Sequence, residues 1–181
     1  AGATLREHID LVRREILALY DSRHEAAPQK TRIHLFAEMP LNWLGYKVTY
    51  VDVNGPLPPV AEMGRYRGLL TWFIEPMAAV ESYLPWLDAV TAAGTRFAFL
   101  SEMVPNEPAN LVGVATRILA RLGLERTNQF VAVTHRVRIG LHDREMVGFE
   151  RPLDKTLPDF RIYTAVPGKA VVHLSATAPL R

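Results

Sequence analysis

The apolar positions of the chain follow two grammars, and the change falls near Phe130. Before it, short apolar runs alternate with stretches whose apolar residues recur every three or four positions; after it, strand-like runs follow one another with no helical period between them. The stretch Arg67-Gly-Leu-Leu-Thr-Trp-Phe-Ile-Glu-Pro76 organises the first part. Its apolar run is too short for a helix and ends at a proline able to open one, which predicts a buried central strand over 68–73 feeding a crossover helix. Arg32–Glu38 and Arg96–Glu102 share its form, with a basic entry, an apolar run and a glutamate at the exit, and predict strands at 32–37 and 96–100. Lys47–Val53 alternates β-branched and aromatic residues and predicts a strand ending at Asp52. Thr4-Leu-Arg-Glu7 has the form of a capping box, and Leu5, Ile9, Val12, Ile16 and Leu19 recur at helical spacing, predicting an opening helix over 4–22. Further helices are expected as two turns over Met39–Gly45, on Val80 to Val90 with a kink or division at Pro85, and on Leu111 to Leu122 closed by Gly123.

Parallel strands need crossovers that cover both sheet faces, so this β-α alternation predicts a fold class. It is an α/β three-layer sandwich with a doubly wound, mainly parallel sheet in flavodoxin-like order, built from strands near 32–37, 47–52, 68–73, 96–100 and 130–134. An antiparallel C-terminal extension follows after about residue 140, with runs at 146–150, 161–166 and 170–175. One domain over 1–181 is expected, with its core at 31–135 and 136–181 as an extension or a link to a following domain. At 181 residues and 49% hydrophobic, the chain can bury such a core. The net charge of +2 and the scattered Lys and Arg residues point away from nucleic acid. The lack of cysteine excludes a disulfide framework, a thiolate zinc site and a cysteine nucleophile, while leaving the compartment open. No apolar run approaches the roughly 18 residues of a membrane span. The opening Ala1-Gly2-Ala3, without methionine, points to a processed or excised product.

Doubly wound sheets bind ligands at the carboxyl ends of their strands, where strand order reverses. The expected order brings Glu38, Glu75 and Glu102 to that edge, with Asn42, Trp72 and Ser101 beside them, and these six are the candidate ligand-binding residues. The three carboxylates either form an acidic crevice for a cationic or polyhydroxylated ligand or a divalent metal, or serve helix N-termini, where a carboxylate is favoured by about 0.3–1 kcal/mol. Trp72 and Trp43 either stack on sugar rings or pack in the core. Ser101 occupies the place of a strand-to-helix elbow but lacks the flanking glycines of a nucleophile there. His135, His142, Asp143 and Glu150 are the other local cluster, without metal-ligand spacing. No glycine-rich phosphate motif occurs, so no nucleotide or flavin is expected, and no cofactor, metal or catalytic residue is assigned.

Ala37-Glu-Met-Pro-Leu-Asn-Trp-Leu-Gly45, Tyr50-Val-Asp52, Tyr66-Arg-Gly-Leu-Leu-Thr-Trp-Phe73 and Tyr83-Leu-Pro-Trp-Leu87 together resemble a flavodoxin-like or class I glutamine-amidotransferase-like domain. The resemblance spans about 30–150 and is to the domain found beside polysaccharide deacetylase and glycosidase domains in bacterial exopolysaccharide proteins of the PelA type. It implies an accessory or carbohydrate-binding role, a polysaccharide or amino-sugar polymer as ligand, an adjacent catalytic domain in a longer chain, and a periplasmic or extracytoplasmic place. Amidotransferases of that superfamily use an elbow cysteine with a histidine and a glutamate, whereas this chain has Ser101-Glu102 there. The alternatives are a hydrolase acting through a pair among Glu38, Glu75 and Glu102, or a purely structural interdomain scaffold.

Overall fold

A computed structural model of the chain describes residues 12–131, 136–141, 153–156 and 160–177. Its first strand, β1, is Glu15–Tyr20, inside the stretch expected as the opening helix. Leu17, Ala18 and Leu19 are all buried. Consecutive apolar residues are what a central parallel strand needs, because both its faces are covered; the helical period drawn through Ile16 and Leu19 passes over Leu17 and Ala18. Residues 4–11 of the expected helix lie outside the described residues.

The run 32–37, expected as a strand, is helical instead. Ile33–Glu38 forms a π-helical turn that continues into α1, Met39–Trp43. Thr31 begins it, its hydroxyl accepting the His34 amide at 3.0 Å as a helix-capping side chain does. Ile33, Ala37 and Leu41, at four-residue spacing, reach the sheet, while Leu35 and Phe36 between them are exposed. That spacing is the helical signal hidden inside a short apolar run.

Strands β2 (Lys47–Asp52), β3 (Tyr66–Thr71) and β4 (Phe97–Phe99) complete a four-stranded sheet of order β2-β1-β3-β4. All its pairings are parallel. This is the expected flavodoxin-like order, with β1 supplied by Glu15–Tyr20. Leu19 lies opposite Val51 on one side and Thr71 on the other, and Thr71 lies opposite Phe99. The four strands therefore end together, and the loops that follow them share one edge.

Two layers cover the sheet. Helices α2 (Val80–Ala92) and α3 (Val112–Arg121) bury Tyr83, Leu84, Leu87, Ile118 and Leu119 with Leu17, Leu19 and Leu69. At about 1.5–3 kcal/mol per large side chain, this is the main stabilising cluster. Helix α2 runs undivided through the exposed Pro85. On the other face Ala18, Val48 and Leu70 meet the smaller Ile33 layer.

Gly123, at φ 72, ends α3 and turns the chain directly into β5, Leu124–Val131. Of the fifth parallel strand expected at 130–134, Phe130 and Val131 belong to β5, which pairs antiparallel with β8, Phe160–Ala165, instead of joining the main sheet, and 132–134 lie outside the described residues. The reason lies at β4, which offers only three residues for pairing and whose Phe99 ring packs 6.0 Å from that of Tyr163 on β8. A second antiparallel sheet joins β6 (Arg136–Leu141) to β7 (Leu153–Thr156) and β9 (Leu174–Thr177). The antiparallel extension thus begins at Leu124 and forms sheets of its own. The run expected at 146–150 and the cluster His135, His142, Asp143 and Glu150 lie outside the described residues.

Candidate functional site at the strand ends

The chain passes from β1 to β2 on one side and then to β3 on the other, so the order reverses at β1 and β3. Asp21 follows β1 directly and is only 3% exposed. Its Oδ1 accepts the Arg23 amide at 3.0 Å and the Asn54 side-chain amide at 2.7 Å. Its Oδ2 is buried and has no hydrogen-bond donor among the described residues. The carboxylate lines a cavity of about 10 Å³ together with His24, Arg32, Trp72 and Glu75. That is room for one water or the tip of a ligand, not for a ring.

Neighbouring loops fix this notch. Asp52, at the end of β2, accepts the Ser22 amide at 3.2 Å and the Asn54 side-chain amide at 2.9 Å. Burial works to raise the Asp52 pKa, but its hydrogen bonds from Ser22 and Asn54 outweigh that and hold it below the usual carboxylate range. His24 Nε2 lies 3.0 Å from the Pro76 carbonyl, which can only accept, so Nε2 carries the proton. The same nitrogen is 4.0 Å from Asp21 Oδ2. Arg32 spans the notch, reaching Glu25 at 3.3 Å and both Glu75 oxygens at 3.2 and 2.7 Å. The loops after β3 and β4 are joined in turn by Asn106, which accepts the Met77 amide at 2.7 Å and donates to the Met77 carbonyl at 3.2 Å.

The six residues singled out from the sequence fall into three neighbourhoods. Glu38 accepts from Tyr50 at 2.7 Å and from His34 at 2.5 Å. Burial tends to raise its pKa, but the hydrogen bonds from Tyr50, His34 and Asn42 lower it overall. Tyr50 is correspondingly pushed up, first by burial and then by the Glu38 carboxylate. Glu75 and Trp72 line the notch, and the Trp72 ring packs 5.9 Å from Phe36. Ser101 is exposed after β4, and Glu102 beside it is engaged by the C-terminal strands. Glu102 accepts the Tyr163 hydroxyl at 2.7 Å and the Arg161 amide at 3.2 Å, while the neighbouring Glu107 pairs with Arg126. The three glutamates thus bond to three different sets of partners. No group of three or more His, Asp or Glu side chains among the described residues is placed to hold a metal ion.

Asp21, His24 and Arg32 were not singled out from the sequence as site residues. Asp21 had a signal: it closes an apolar run and opens Asp21-Ser22-Arg23, as Asp52 closes β2.

The strand order and the helices on both faces of the sheet define the class of fold, an α/β fold of flavodoxin type. The chain is similar to the crystal structure of a glutamine amidotransferase from Thermotoga maritima, with a TM-score of 0.52 and 11% identity over 91% of this chain and 67% of that one. It is also similar to a glutamine amidotransferase from Methylobacillus flagellatus, with a TM-score of 0.50 and 14% identity over 91% of this chain and 61% of that one. The chain therefore spans about two thirds of the length of these structures, and at such identity the likeness shows the fold. No protein-family model and no curated protein matches the sequence.

Proposed function

We propose that the chain is a non-catalytic accessory domain that binds carbohydrate within a bacterial polysaccharide-modifying protein of the cell envelope, with its ligand at the β1–β3 notch. The observation that carries this reading is Asp21 Oδ2, a buried carboxylate oxygen with no donor among the described residues, at the reversal of strand order. A buried acceptor left unpaired costs about 1–3 kcal/mol, so the notch favours a ligand that brings an ammonium or hydroxyl hydrogen. An amino sugar with a free amine supplies one. Glutamine hydrolysis does not carry over from the structural neighbours, because the elbow position holds Ser101-Glu102 and Glu102 is engaged by Tyr163 and Arg161. The same engagement of Glu102, together with the Arg32–Glu75 pair, weighs against the carboxylate-pair hydrolase.

A scaffold reading also has an observation in its favour. Phe36 is 68% exposed, Met39 80% and Trp43 90%, giving the small helical layer an apolar outer side suited to a neighbouring domain.

Titration with amino-sugar oligomers, partially deacetylated in one arm and fully acetylated in the other, separates these readings. Saturable tryptophan fluorescence and amide NMR shifts at 21–25 and 72–76 are expected with the free-amine oligomer alone, weakening as salt rises. Asp21→Asn should remove the binding while changing stability by less than about 1 kcal/mol, since the retained amide oxygen still accepts from Arg23 and Asn54. No saturable change up to about millimolar ligand would leave the scaffold reading standing.

A further inference from the structure

The opposite, amino-terminal edge of the sheet carries charge of the other sign. Arg13 leads into β1, Arg67 is the second residue of β3 and Arg96 precedes β4; with Tyr66, Gly94 and Thr95 they line a pocket of about 200 Å³. Gly68, next to Arg67 on β3, packs against the Arg96 backbone. A Cβ at position 68 would stand 3.0 Å from the Arg96 carbonyl oxygen, which also accepts the Leu69 amide at 2.8 Å. Without a side chain at 68 the chain entering β4 can lie this close to β3; an added Cβ would require the Arg96 backbone to give by a few tenths of an ångström.

Among the described residues, none of these three guanidinium groups has a hydrogen bond or an ion pair, and no carboxylate lines the pocket. Arg32, Arg65, Arg117, Arg121 and Arg126, by contrast, each face a carboxylate. A concavity lined by one sign of charge concentrates the opposite ion, and a guanidinium fork matches a phosphate or carboxylate with two donors at once. Thr95 adds a hydroxyl to the same wall.

We infer that this pocket binds an oxyanion, the phosphate or carboxylate group of a small molecule or sugar derivative. Its volume lies below the roughly 300–1,000 Å³ of pockets that enclose a drug-sized ligand, so it takes one charged group while the rest of the molecule stays at the rim. The inference is independent of the Asp21 notch, which lies at the other edge and favours a donor or cation.

The test is an NMR titration of the protein with sodium phosphate and, separately, sodium glucuronate, each against sodium chloride at matched ionic strength. Saturable shifts at residues 67 and 94–96, with a dissociation constant of about millimolar or tighter, are expected from phosphate or glucuronate, and the tighter of the two identifies the ligand chemistry. Arg67→Gln and Arg96→Gln should each weaken binding by about ten-fold or more, whereas Arg117→Gln on α3 should leave it unchanged. All three positions are exposed, so the amide spectrum should stay folded; Arg67→Lys, which keeps the charge and loses the fork, should also weaken binding. Identical shifts with chloride, or unaltered affinity in both Arg67→Gln and Arg96→Gln, would overturn the inference.

Discussion

Glu38 shows how one side chain's environment decides its chemistry. Its exposure is modest, and desolvation alone would favour the neutral acid, yet the Tyr50 hydroxyl and the His34 ring hold it ionised. Because its pKa is lowered in the folded state, the contribution is present above the unfolded value and is lost as pH falls through the folded one. Tyr50→Phe removes one donor, so the Glu38 carboxyl should titrate at higher pH in a carbon-detected NMR titration, and stability at neutral pH should fall by about 0.5–1.5 kcal/mol in urea. An unchanged Glu38 titration would mean that this hydrogen bond does not set its protonation. The same physics separates Glu38 from Asp21: one carboxylate is satisfied by donors, and the other keeps a bare oxygen.

At the scale of elements, Gly94 and Gly123 end the two large helices in the left-handed region but meet different surroundings. Gly94 has φ 89 and nothing near its absent Cβ, whereas Gly123 has φ 72 and a Cβ there would lie 2.8 Å from the Lys169 backbone. Gly94→Ala should therefore cost about 1–2 kcal/mol, the conformational penalty alone. Gly123→Ala should cost clearly more, because the turn between β8 and β9 must also shift. Denaturant midpoints of the two variants measure the difference, and equal losses would mean that the Gly123 contact relaxes freely. The tight junction matters because Gly123 launches β5, and the Val166 amide donates back to the Gly123 carbonyl at 2.8 Å.

Across the whole molecule the two faces of the sheet are covered unequally. Helices α2 and α3 shield one face fully, while the layer from Ile33 to Trp43 shields part of the other and leaves its own outer side apolar. Side chains so exposed contribute little to folding. Replacing both Met39 and Trp43 by Ser should change unfolding free energy by less than about 1 kcal/mol and reduce binding of an apolar dye. A larger loss of stability would show that these side chains belong to the core. The charges divide as unequally: a notch with a carboxylate oxygen at the strand ends that lacks a donor among the described residues, and Arg13, Arg67 and Arg96 around a pocket at the strand starts.

By itself the sequence determined the α/β class, β2, β3 and β4, both large helices and the Gly123 stop, because each rests on local patterning that its surroundings reinforce. Ile16–Tyr20 and Ile33–Glu38 were different. An apolar run of about five residues has no period of its own, and the burial of both faces of β1 or of one face of the Ile33 turn arises only after the sheet has formed. The candidate site divided in the same way. Chain order predicted glutamates near strand ends, but a carboxylate's partners come from distant segments: Tyr163 for Glu102, Arg32 for Glu75 and Asn54 for Asp21. Which oxygen stays bare is therefore settled by tertiary packing, because hydrogen bonding is decided by distance in space rather than separation along the chain.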